Sequence, residues 1–93
     1  MSNNLFISYD LNSPGQNYTS VIETIKSLGS WANPQKSFWY VKSSLTAAQA
    51  VDKVWQTMDK NDSLMVVNAT DNSAAWRGLD PRVEQHLKER WLK

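Results

Sequence analysis

Ninety-three residues, 41% of them hydrophobic and 20% charged, suit one small globular domain and exclude a disordered chain. Ten basic against nine acidic residues leave a formal charge of +1, so nucleic-acid binding, if present, must rest on local arrangement. The lack of cysteine excludes disulfides and cysteine-based zinc or redox sites. The start has no basic region leading a signal-like apolar run, and no stretch reaches the ~20 apolar residues of a membrane span, so a cytoplasmic chain without a membrane partner is expected.

The run Leu5 to Tyr9, bounded by "NN" and "LNSPG", predicts a first strand. Tyr18, Val21, Ile22, Ile25 and Leu28 then recur at helical spacing, with Asn17 placed as N-cap and Gly29 as a left-handed C-terminal residue. "SWANPQKSFWYVKS" reads as two strands around an "NPQK" turn, Pro34 presetting the turn. On the second of them Trp39 and Val41 face one way, Phe38 and Tyr40 the other.

"LTAAQAVDKVWQTMDKND" predicts a second helix. Thr46 and Gln49 form a capping box, Ala47, Val51, Val54, Trp55 and Met58 make the buried stripe, and Asn61 closes it. Leu64 to Val67 is an apolar strand. "TDNSAAWRGL" is a loop or short extra strand, and "DPRVEQHLKERWLK" a short helix with Asp80 as N-cap and Pro81 at its first position. Val83, Leu87 and Trp91 give that helix a narrow apolar stripe.

The order βαββαβ is the split-βαβ pattern, predicting an α+β, ferredoxin-like sandwich over residues 1–79. Residues 80–93 add a C-terminal helix packed on or near the same domain. Two helices on one side of a four-stranded sheet call for strands that alternate apolar and polar. These do not: Leu5 to Ile7, Phe38 to Val41 and Leu64 to Val67 are apolar on both faces. Left bare, the second face would exceed the ~300–600 Å² patch usual on a monomer. A two-fold homodimer packing sheet to sheet is the preferred covering. A monomer closed by its own tail, with Trp76 and Trp91, is the alternative.

Three segments, "ISYDLNSPGQNYTSVIETIKSLGSW", "WYVKSSLTAAQ" and "DSLMVVNATDNSAAWRGL", together resemble the Cas2 family of CRISPR-associated proteins, in particular small stand-alone bacterial Cas2-like proteins of the SinR family. The resemblance covers about Leu5 to Leu79. It implies a homodimer that brings two first-strand aspartates near its axis. In several members that aspartate is linked to magnesium-dependent cleavage of RNA or DNA, and its position here is Asp10. In other members the protein is a non-catalytic partner of an integrase, and toxin ribonucleases of the VapD type share the fold. Where many members carry arginines early in the first helix, this chain has Lys26 and Glu23.

Asp10 is thus a candidate catalytic residue and a candidate Mg²⁺ ligand, since Mg²⁺ binds one or two carboxylates plus waters and substrate phosphates. Ser8, two residues earlier on the same strand face, is placed to orient a water or ligand. The rival reading makes Asp10 a turn former, its carboxylate accepting backbone N–H groups in an Asx-turn. Lys36 and Lys42, flanking one strand, and Trp76 with Arg77 in "AAWRGL" are candidate contacts to nucleic acid or to a protein partner. His86, the one histidine, shares a face with Arg82, Glu89 and Lys93 and reads as exposed and inert. A non-catalytic scaffold or protein-interaction module stands as the alternative function.

Overall fold

A computed structural model describes residues 2–12 and 18–91, Trp91 in its backbone only. The elements run β1 (Asn3–Asp10), α1 (Thr19–Ser27), β2 (Ser30–Gln35), β3 (Phe38–Ser43), α2 (Ala47–Trp55), β4 (Ser63–Asn68), β5 (Ser73–Arg77) and α3 (Pro81–Trp91). All neighbouring strands pair antiparallel, in the order β2-β3-β1-β4-β5. The protein is therefore a small α+β unit with a five-stranded sheet rather than four strands, because "SAAWR" pairs with β4 instead of forming a loop. Among the described residues no helix is long and apolar enough to cross a membrane.

Strand alternation sets the layers. Leu5, Ile7 and Tyr9 of β1, Trp39 and Val41 of β3, and Leu64 and Val66 of β4 point to the helix side and are buried. Against them pack Val21, Ile25 and Leu28 from the first helical segment and Ala47, Ala50, Val51 and Val54 of α2. Each large aliphatic side chain removed from water in this layer contributes about 1.5–3 kcal/mol. The helix-side core also seats the indole of Trp39, whose Nε1 donates to the Tyr9 hydroxyl at 3.1 Å. Exposed Trp31 leans on Trp39 with ring centroids 5.5 Å apart, and the Lys26 ammonium lies 4.5 Å from the Trp31 ring.

The local signals for α2 and α3 are realised atom by atom. Gln49 N–H donates to Thr46 Oγ1 at 3.1 Å, and Thr46 N–H donates to Gln49 Oε1 at 2.9 Å, closing the capping box. Asp80 Oδ1 accepts the Arg82 N–H at 2.8 Å, one residue past Pro81, as an N-cap should. The α2 helix ends at Trp55, short of Asn61, so Asn61 does not close it and Trp55 and Met58 are half-buried at its end.

Three local expectations are corrected. Gly29 does not adopt a left-handed conformation; it is required because a Cβ there would collide with the Lys42 carbonyl oxygen. The β2–β3 turn falls at Lys36 and Ser37, not across Asn33 to Lys36. Pro34 instead lies inside edge strand β2 at a break in register between Ala32 and Gln35, a place where its missing N–H costs no ladder bond. Asn33 Nδ2 donates there to the carbonyls of Gln35 (2.6 Å) and Phe38 (3.1 Å). The expected N-cap Asn17 and the "SPGQN" loop lie outside the described residues.

Candidate functional site

The helix-free side of the sheet carries Asn4, Phe6, Ser8 and Asp10 from β1, Phe38, Tyr40 and Lys42 from β3, Met65 and Val67 from β4, and Ala74 and Trp76 from β5. Phe6, Phe38, Tyr40, Met65, Val67, Ala74 and Trp76 are each half-buried, so the apolar character expected of this side is present. Among the described residues the tail does not close it; the Trp91 side chain, also named for that closure, lies outside them. α3 meets the body beside Trp76, whose Nε1 donates to Glu84 Oε2 at 3.3 Å, and among the described residues no element packs over Phe6, Phe38 and Tyr40.

At one end of this side stands Asp10, exposed, opposite Ser63 in the β1–β4 ladder. Among the described residues its carboxylate makes no hydrogen bond or ion pair. The donor that an Asx-turn at Asp10 would take is the N–H two residues on, that of Asn12. That N–H goes elsewhere: it donates to Asp62 Oδ1 at 2.7 Å.

Asp62 is the structural aspartate of this corner. It is buried, at 1% exposure, in the turn before β4. Its Oδ1 also accepts the Tyr18 hydroxyl at 3.1 Å, and its Oδ2 accepts the Asp59 N–H at 2.8 Å. One carboxylate thereby ties the segment after β1, the start of α1 and the α2–β4 turn together. A buried carboxylate is tolerable because its oxygens are met by donors. Gly78, with φ +75°, lies so close that a Cβ would overlap the Asp62 carbonyl oxygen. Nothing in the sequence around "KNDS" marks this role except a polar residue immediately ahead of an apolar strand.

The other candidates are dispersed. Ser8 is exposed on the same side as Asp10, two residues away, or ~7 Å along the strand. Lys36 lies in the β2–β3 turn and Lys42 near the far end of β3, about 20 Å apart by strand rise, so they form no common patch. Arg77 points to the opposite side from Trp76: its Nη2 meets Asp52 Oδ1 of α2 at 3.2 Å, and its Nη1 donates to the Trp76 carbonyl at 2.9 Å. His86 is exposed on α3.

The spacing of β1 and β3 brings together three rings of the second apolar face that the sequence predicts. Phe6 and Phe38 stack with centroids 5.6 Å apart and planes 11° apart, and Tyr40 lies 5.4 Å from Phe6 at 50°. The Tyr40 hydroxyl donates to Asn4 Oδ1 at 2.7 Å. Among the described residues, no group of three or more acidic, histidine or cysteine side chains stands close enough to cage a metal. The exposed Asp10 carboxylate suits a cation that completes its shell with water and substrate phosphate. No protein-family model, curated protein or solved structure matches the chain.

Proposed function

We propose that this chain is a Cas2-like, nucleic-acid-associated homodimer in which the Asp10 carboxylates serve magnesium-dependent cleavage of phosphodiester bonds. The observation that supports it is the division of labour between two aspartates. Asp62 takes the backbone N–H that would have made Asp10 a turn former, which leaves Asp10 exposed at the end of the helix-free side. In this reading β1 to β4 with α1 and α2 form a ferredoxin-like βαββαβ core, and β5 and α3 are additions at one edge. The β4–β5 half of the helix-free side, Met65, Val67, Ala74 and Trp76, with exposed Val83 and half-buried Leu87 of α3, is the surface assigned to the second copy.

Asp10 would hold the cation, and the Ser8 hydroxyl would orient a water or phosphate oxygen beside it. Mg²⁺, when bound, neutralises phosphate charge and lowers the pKa of a bound water. The test uses labelled single-stranded RNA, double-stranded RNA and double-stranded DNA, with wild type and Asp10→Asn side by side in Mg²⁺, Mn²⁺ or chelator. Metal-dependent cutting by wild type alone is expected. Cutting by both proteins, or by neither, overturns the catalytic assignment. Light scattering reads the oligomeric state of the same samples, and a monomer at all concentrations refutes the dimer.

A further inference from the structure

Among the described residues no element packs over the cluster Phe6, Phe38 and Tyr40. Helix-side burial already accounts for the core, and three rings gathered on the solvent side of the two strands β1 and β3 add nothing to that layer. We infer that these rings are a stacking platform for the bases of single-stranded RNA. The inference rests on the nucleic-acid reading above and deepens it by naming the substrate class.

Three observations favour this occupant. The rings lie on adjacent strands at the middle of the sheet, Phe38 and Tyr40 each within 5.6 Å of Phe6, where an extended strand crossing the sheet would lay successive bases. Sheets that bind RNA in this way carry aromatic residues on their first and third strands, two of them alternating on the third. The β3 segment Lys36 to Ser43 keeps the basic, aromatic, aromatic, valine order of such a third strand at Lys36, Phe38, Tyr40 and Val41, and departs from it at Ser37 and Trp39, where small residues are usual, and at Ser43, where an aromatic is. Trp39 does not obstruct the platform because alternation sends it to the helix side.

Charge and polarity agree with a polyanion. Lys36 and Lys42 stand at the two ends of β3, and neither is in an ion pair among the described residues. They are spaced to meet phosphates at the entry and exit of a short strand rather than to form one patch. Asn4, Ser8 and Ser30 supply amide and hydroxyl groups around the rings, the chemistry that meets a ribose 2′-hydroxyl. Asp10 lies on the same strand as Phe6, four residues on, so a strand stacked on the platform runs its backbone toward the carboxylate.

The experiment measures anisotropy of a fluorescein-labelled ten-nucleotide single-stranded RNA of mixed sequence, with chelator present so that cleavage cannot intervene. Wild type, Phe38→Leu, Tyr40→Leu, Lys42→Glu and the conservative Phe38→Trp are compared, each with a thermal melt. The expected result is binding that weakens at least about fivefold in each ring-to-leucine variant. Phe38→Trp should retain it, and Lys42→Glu should lower it with a shallower salt dependence.

Absence of binding by wild type, or binding unchanged in both leucine variants, overturns the platform. Equal or tighter binding of single-stranded DNA overturns the choice of RNA. Conversion of a dimer to monomer by Phe38→Leu, with no effect on RNA, assigns the rings to the second copy and also overturns it. Because Lys42→Glu and Phe38→Trp leave the core untouched, a folding defect in a leucine variant does not remove the test. Binding without cleavage would leave the platform standing while refuting Asp10 as a catalyst.

Discussion

Replacing Asp62 with alanine should cost far more stability than any change at Asp10. The substitution strips a buried carboxylate of three accepted hydrogen bonds, from Asn12 N–H, the Tyr18 hydroxyl and Asp59 N–H, at 2.7, 3.1 and 2.8 Å. Hydrogen bonds to a charged group are worth about 1.5–3 kcal/mol each. A simple sum would overstate the loss, since Asn12 is exposed and its N–H can turn to water. About 3–4 kcal/mol is expected. A domain of this size has roughly 5–14 kcal/mol in total, so the variant should sit near the edge of folding.

Urea unfolding followed by tryptophan fluorescence reads this directly, with Asp10→Ala as the paired control. Asp10→Ala should stay within about 0.5 kcal/mol of wild type, as surface changes without partners do. A loss below about 1 kcal/mol for Asp62→Ala, or a loss at Asp10 equal to it, would refute the reasoning that separates the two aspartates.

Two further substitutions test the local structure around that corner and the helix behind it. Gly78→Ala should destabilise by about 2 kcal/mol or more, because a left-handed φ of +75° is unfavourable for alanine and the new Cβ meets the Asp62 carbonyl oxygen; chemical denaturation checks it, and a neutral result would mean the β5 end yields freely. Thr46→Ala should cost about 1 kcal/mol by opening the capping box, seen as a lower urea midpoint with an unchanged m-value.

What could be read from the sequence was what depends on near neighbours. The Thr46–Gln49 box, the Asp80–Pro81 start of α3 and the opposite facing of Trp39 and Phe38 each rest on residues within a few positions, and each is present. The apolar character of both sheet sides was equally legible, because strand alternation is a period of two. Pairing of "SAAWR" was open in the sequence, since five residues between turns do not say whether an edge exists to receive them.

Long-range ties were not legible at all. Asp62 reaches Asn12 and Tyr18 across 50 and 44 residues, and no local pattern announces such a bond. Asp10 was for the same reason ambiguous: whether it is a turn former is decided by which carboxylate captures the Asn12 N–H. The Phe6–Phe38–Tyr40 cluster became visible once the β1–β3 register set Phe6 opposite Tyr40. Gly29 illustrates the same limit, since its need for space arises from Lys42 on a neighbouring strand.

The central claim is that Asp10 is a carboxylate free to take a cation. Paramagnetic broadening tests it most directly: ¹⁵N-labelled protein is titrated with substoichiometric Mn²⁺, and amide intensities are followed in wild type and Asp10→Asn. The account predicts selective loss of the signals of Tyr9, Asp10, Leu11 and Ser63, abolished by the substitution. Uniform broadening, or the same local pattern in Asp10→Asn, would contradict it.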